Sequence, residues 1–92
     1  MPQLFKIGNY VIYFWSNENN PTEPVHVQIS ERRPAENGTK IWITRSGHTV
    51  VDHNASKIPN TKLRMLCRYI EANVDEIIEE WEKHFGEARF FC

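Results

Sequence analysis

Four histidines, Asp52, two tryptophans and a set of arginines carry what chemistry this sequence offers. His26 is the most informative of them. It follows the segment Ser16 to Glu23, which is polar throughout and bracketed by Trp15 and Pro24. An imidazole there could move a proton or hydrogen-bond an anion. It could equally fix the turn by bonding a backbone carbonyl. Asn17 and Glu18 in that segment could bind a ligand, or could satisfy the turn's own backbone. Pro21 and Pro24 restrict backbone dihedrals, so the loop is expected to be comparatively rigid. With His26 as proton-transfer group, Arg32, Arg33 or Arg45 could stabilise phosphate charge, which would make an RNA-cleaving centre.

A second chemistry is stacking. Lys40 and Trp42 alternate onto one face of a strand, with Arg32, Arg33 and Arg45 near in sequence. A tryptophan flanked by cations can stack a base while pairing phosphates, worth about 1–3 kcal/mol per base. Trp42 packed beneath other side chains, with ordinary surface cations around it, is the plain alternative. A metal site from His26, His48, His53 and Asp52 is not supported by spacing, because His48 and His53 point to opposite faces of an extended strand. No metal and no cofactor are expected. The sequence has no glycine-rich phosphate loop, no Ser-His-Asp set and no paired-cysteine motif. It leaves open whether the protein is an enzyme.

The elements that must hold these residues read as a single domain over 1–92. A content of 40% hydrophobic and 12% aromatic residues fits one compact globule. Lys6 to Trp15 reads as one strand, apolar on both alternating faces from Tyr10 onward, hence central and covered on both sides, with Gly8-Asn9 as a bulge or bend. Val25 to Ser30 alternates, with Val25, Val27 and Ile29 inward and His26, Gln28 and Ser30 on the opposite face. Arg32 to Gly38 is a turn. Thr39–Arg45 and Thr49–Asp52 are the third and fourth strands.

Pro59 is placed to open a helix, and a stripe from Leu63 to Phe85 at 3.6-residue spacing marks the helical region. One helix over Asn60–Phe85 would be about 39 Å long, against about 32 Å for a compact globule of this size. Two consecutive helices with a break near Asn73 are therefore favoured, and Asn73-Val74-Asp75-Glu76 has the form of a capping box. Phe90-Phe91-Cys92 is apolar enough to be tied down as a strand. The fold class is α+β: a small, mainly antiparallel sheet in the order ββββααβ, with one or two C-terminal helices packed on one face.

Two helices sharing one stripe can cover only one face of that sheet. The aromatic surface left over is expected to dock another chain, either a protein partner or a second copy. Charge is divided too. Gln28–Arg68 holds eight Lys/Arg against three Asp/Glu, whereas Tyr69–Cys92 holds seven acids against two bases. Internal pairing or an anionic partner would each explain the split. The acidic run Glu71, Asp75, Glu76, Glu79, Glu80 and Glu82 reads most simply as a solvated helix face. Cys67 lies on the helix stripe as a core residue, not a nucleophile, and Cys67 and Cys92 make no disulfide framework. Nothing at Met1–Lys6 resembles a signal peptide, and no run approaches the roughly 20 apolar residues of a membrane helix. A cytoplasmic location with reduced thiols follows as the expectation.

Several short segments together carry a family resemblance. These are Phe14-Trp15-Ser16-Asn17-Glu18, Glu23-Pro24-Val25-His26-Val27, Thr39-Lys40-Ile41-Trp42-Ile43-Thr44, Ile58-Pro59, the Trp81 helix and Phe91-Cys92. The chain resembles the small bacterial proteins grouped as domain of unknown function 4160. The resemblance implies a gene pair of toxin–antitoxin type, with a second small protein as partner. Members of that family usually carry His-x-His after the proline turn, whereas this sequence reads His26-Val27-Gln28. Three functional expectations result: a binding module that docks a protein partner or itself through an aromatic sheet face, an RNA-cleaving toxin using His26, and a protein that sequesters a small anionic ligand such as a nucleotide.

Overall fold

A computed structural model describes residues 3–15 and 23–92. Within them the chain forms β1 (Gln3–Ile7), β2 (Tyr10–Tyr13), β3 (His26–Glu31), β4 (Thr39–Ile43), β5 (Thr49–His53), α1 (Asn60–Ala72) and α2 (Val74–Phe85). The five strands make one antiparallel sheet in sequence order. The α+β class holds, and the element order is βββββαα.

That order differs from the expected one at both ends of the chain. The stretch read as a single strand from Lys6 to Trp15 is two strands, because the chain reverses at Gly8-Asn9. Ile7 pairs with Tyr10, and Gly8 sits at φ 58°. A two-residue hairpin with glycine at its first central position needs such a positive φ, which glycine adopts without steric cost. The terminal residues are tied down as expected, but not as a ladder strand. Val25 N–H donates to the Arg89 carbonyl and Arg45 N–H to the Cys92 carbonyl, each at 2.8 Å. The extended tail thus crosses the strand ends at Val25 and Arg45.

The helical region breaks at Asn73, whose φ of −121° and ψ of 24° interrupt the helix. The Asn73 side chain turns back to donate to the Tyr69 carbonyl at 2.9 Å, so it supplies no side-chain cap to α2. Gly86, left-handed at φ 79°, ends α2, and its N–H donates to the Glu82 carbonyl. The break keeps the molecule within 33 × 25 × 20 Å. Leu66, Ile70, Ile77 and Trp81 from the helices bury against Ile12, Phe14, Val25, Val27, Ile29, Ile41 and Ile43. At the open edge of β5, Glu71 accepts both the N–H and the hydroxyl of Thr49 at 2.9 Å.

The sheet face away from the core carries Val11 and Tyr13, whose strand reads as covered on both sides and is buried on both. The aromatic surface expected to dock another chain belongs to the same face. The chain closes most of it. The segment 32–38 folds back across the sheet, where the Tyr13 hydroxyl donates to the Ala35 carbonyl at 2.6 Å and accepts the Ala35 N–H at 3.0 Å. Ser30 Oγ donates to the Arg33 carbonyl, and Gln28 Nε2 reaches the Glu36 carbonyl at 3.4 Å. Tyr13, Gln28 and Ser30 are buried as a result. Every residue of β3 except Glu31 is buried, although its sequence alternates like a half-exposed strand.

Gly38 permits this closure, since a Cβ there would fall inside contact distance of the Tyr13 hydroxyl and 3.1 Å from the Ile29 carbonyl oxygen. Gly38→Ala should therefore cost about 1–3 kcal/mol through overpacking. Tyr13→Phe should cost about 1 kcal/mol through loss of the hydroxyl's bonds to Ala35, which is exposed and can turn to water instead. Urea midpoints at unchanged m-value read both effects. A midpoint equal to wild type for either variant would contradict the closure.

Candidate functional site

Antiparallel pairing sets His26 directly opposite Trp42 across β3 and β4, on one face of the sheet. His26 is 1% exposed. Its ring meets Trp42 edge-on at 5.6 Å between centroids, and Trp81 of α2 at 5.2 Å. His26 Nδ1 lies 3.0 Å from the Pro24 carbonyl oxygen. A carbonyl only accepts, so Nδ1 carries the proton. The bond to a backbone carbonyl weighed for His26 is present, and its ring packs between Trp42 and Trp81.

Trp42 is the centre of what remains outward on this face. The Phe91 ring lies over it, 9° from parallel at 5.0 Å. The Lys40 ammonium stands 4.4 Å from the Trp42 ring and 2.6 Å from Glu23 Oε1. A cation over an indole contributes about 0.5–2 kcal/mol, more as water is excluded. The Arg45 guanidinium sits 5.3 Å from the Phe90 ring. The result is a corner of two stacked aromatic rings flanked by Lys40, with His26 packed against Trp42 beneath it.

Of the other expected site residues, Arg32 and Arg33 fall elsewhere and Trp15 has a ring partner of its own. Trp15, half-buried, packs edge-on against Tyr13 at 5.7 Å. Arg32 and Arg33 are exposed beyond the far end of β3, about 17 Å along the strand from His26. The structure thus joins His26, Lys40 and Trp42, sets Arg45 against Phe90 instead, and leaves Arg32 and Arg33 apart. Asn17 and Glu18 lie outside the described residues. His48 is hydrogen-bonded to Ser46, and His53 Nδ1 accepts the Ala55 N–H. Among the described residues, no three His, Cys, Asp or Glu side chains converge where a metal ion could be held.

Glu23, Phe91 and Trp81 take part in the corner, and reading the sequence for chemistry did not find them. Glu23 carried no pairing signal, since its partner Lys40 is 17 residues away. Phe91 was legible only as part of an apolar terminus.

Cys67 is half-buried on α1, and burial pushes its thiol above the ordinary value, with the lowering influence of neighbouring Thr49 and the raising one of the Glu71 carboxylate both smaller. No helix of the described residues is long and apolar enough to cross a membrane.

Residues 9–82 match the family described as Domain of unknown function (DUF4160), and the chain belongs to that family. β1 and the tail bearing Phe90 and Phe91 lie outside the matched segment. No curated protein and no solved structure matches the chain.

Two outcomes test this geometry. His26→Ala should destabilise the fold by roughly 2–4 kcal/mol, as a cavity between two tryptophans does. A surface proton-transfer group would move stability by no more than about 0.5 kcal/mol. In the native protein iodoacetamide should label exposed Cys92 well before Cys67, because a raised pKa leaves less thiolate at any pH below it. Peptide mass mapping reads the order, and equal rates would place Cys67 in an open, polar setting.

Proposed function

We propose that the protein is a small cytoplasmic binding module, one component of a toxin–antitoxin-like pair, that docks a protein partner through the Trp42 corner. One observation carries the reading. Phe91 is 52% exposed, yet it is stacked on Trp42 and held in a tail fixed by backbone hydrogen bonds on either side of it. A large apolar ring already ordered in water loses little further entropy on binding. Large aromatic rings such as Trp42 are also enriched at interface hot spots.

The corner suits docking better than turnover. His26 is enclosed by Trp42 and Trp81, and two of the arginines that RNA cleavage would draw on stand at the other end of the strand. Sequestration of a planar anion would need the ring face that Phe91 already covers. The free thiols of Cys67 and Cys92 accord with a reducing compartment.

Isothermal titration against the purified product of the adjacent gene tests the proposal. Wild type should bind, and Phe91→Ala should weaken binding about 30-fold or more, the scale of a hot spot. The unfolding midpoint of that variant should stay close to wild type. No binding by wild type, or unchanged binding by Phe91→Ala, would overturn the proposal.

A further inference from the structure

The outer surfaces of the two helices carry opposite charge. On α1, Lys62, Arg64 and Arg68 are exposed around Met65 and Tyr69, which are 45% and 39% exposed. The only acid on that helix, Glu71, is turned toward Thr49. On α2, Asp75, Glu76, Glu79 and Glu82 are exposed, and the single Lys83 pairs within its own helix with Glu79 and Glu80. Internal pairing was one account of the charge split in the sequence. Among the described residues, however, no ion pair joins α1 or the basic strands to α2.

We propose that two copies of this chain associate about a two-fold axis, with the outer face of α1 on one copy against the outer face of α2 on the other, and the reverse contact made at the same time. Charge complementarity names the occupant, because the acidic face that fits α1 is present on the same molecule. Both helices pack into the same core beneath them, so both faces belong to one layer. A two-fold axis then uses each face once per subunit and leaves neither exposed, which closes the assembly at two copies.

Exposed ion pairs are individually worth only about 0–1 kcal/mol, so they set orientation and salt dependence. The apolar contribution comes from Met65 and Tyr69. Neither Trp42 nor Phe91 belongs to the α1 and α2 faces that the dimer would cover, so the corner stays open to a partner. This inference is independent of the docking reading.

Light scattering on purified protein at micromolar concentration and low ionic strength tests it. Wild type should have twice the monomer mass and should dissociate as salt shortens the Debye length toward about 3 Å at 1 M. Arg64→Glu with Arg68→Glu should give monomer, and so should Glu79→Arg with Glu82→Arg. All four positions are exposed, and circular dichroism checks that each variant is folded. Arg64→Gln with Arg68→Gln replaces any reversal variant that fails to fold, and should weaken association in the same direction. The decisive variant combines all four reversals. It keeps the wild-type net charge, restores complementarity between α1 and α2 of the partner copy, and should return the dimer. A monomeric wild type, a dimer indifferent to either pair of reversals, or a monomeric fourfold variant would overturn the proposal. Mass that climbs past two copies with concentration would overturn its closed symmetry.

Discussion

A hydroxyl group holds the second face of this sheet shut. Tyr13 donates to the Ala35 carbonyl and accepts the Ala35 N–H, so one side chain satisfies both polar groups of a residue 22 positions away. A domain of 92 residues has little core to spare, and a five-stranded sheet covered on one side only would leave Val11, Tyr13 and the outer row of β3 in water. The pair turns an irregular segment into a covering layer. Gly38 belongs to the same constraint, because the hydroxyl fills the space where a side chain would stand. Buried polar residues on β3 follow from it: Gln28 and Ser30 lie inside because the segment above them offers carbonyls to bond.

The helices and the second half of the sheet were legible because their patterns are local. A 3.6-residue stripe, a glycine stop at Gly86 and the length limit that forces a break at Asn73 all follow from residues near one another in the chain. The hairpin at Gly8-Asn9 was missed for the converse reason. Apolar residues on both faces run continuously from Tyr10 to Trp15, and their strength concealed a two-residue reversal that the Gly-Asn pair does encode. That the Tyr10 strand is covered on both sides was legible from its two apolar faces. That residues 32–38 supply the cover was not, since their anchors are backbone groups of Arg33, Ala35 and Glu36, and backbone groups have no residue type. At the candidate site the residues that alternation places on one face, Lys40 and Trp42, came together with His26 across a single strand pairing. Arg32 and Arg33 did not, because nearness in sequence to a strand's end is distance from its start.

Closure changes what the aromatic content is for. Had the face been open, its rings would have formed a broad docking surface. With Tyr13 clamped and His26 wedged between Trp42 and Trp81, most of those rings are core. What remains outward there is one phenylalanine stacked on one tryptophan, with Lys40 and the cross-strand Val50 at its margin. The helical layer presents charge with two exposed apolar side chains. A molecule built this way has two surfaces of different chemistry, an aromatic corner and a charged helical layer, joined through His26 packed between Trp42 and Trp81.

Native-state amide hydrogen exchange at Ala35 tests the closure most directly. The Ala35 N–H lies in an irregular segment with no ladder partner, and its acceptor is the Tyr13 hydroxyl. The account predicts slow exchange at Ala35 in wild type. In Tyr13→Phe, protection should be lost at Ala35 while the Val25 N–H, bonded to the Arg89 carbonyl, keeps its own. Exchange at Ala35 as fast as in an unstructured peptide in the wild-type protein would show that the segment does not cover the sheet, and would return that face to solvent.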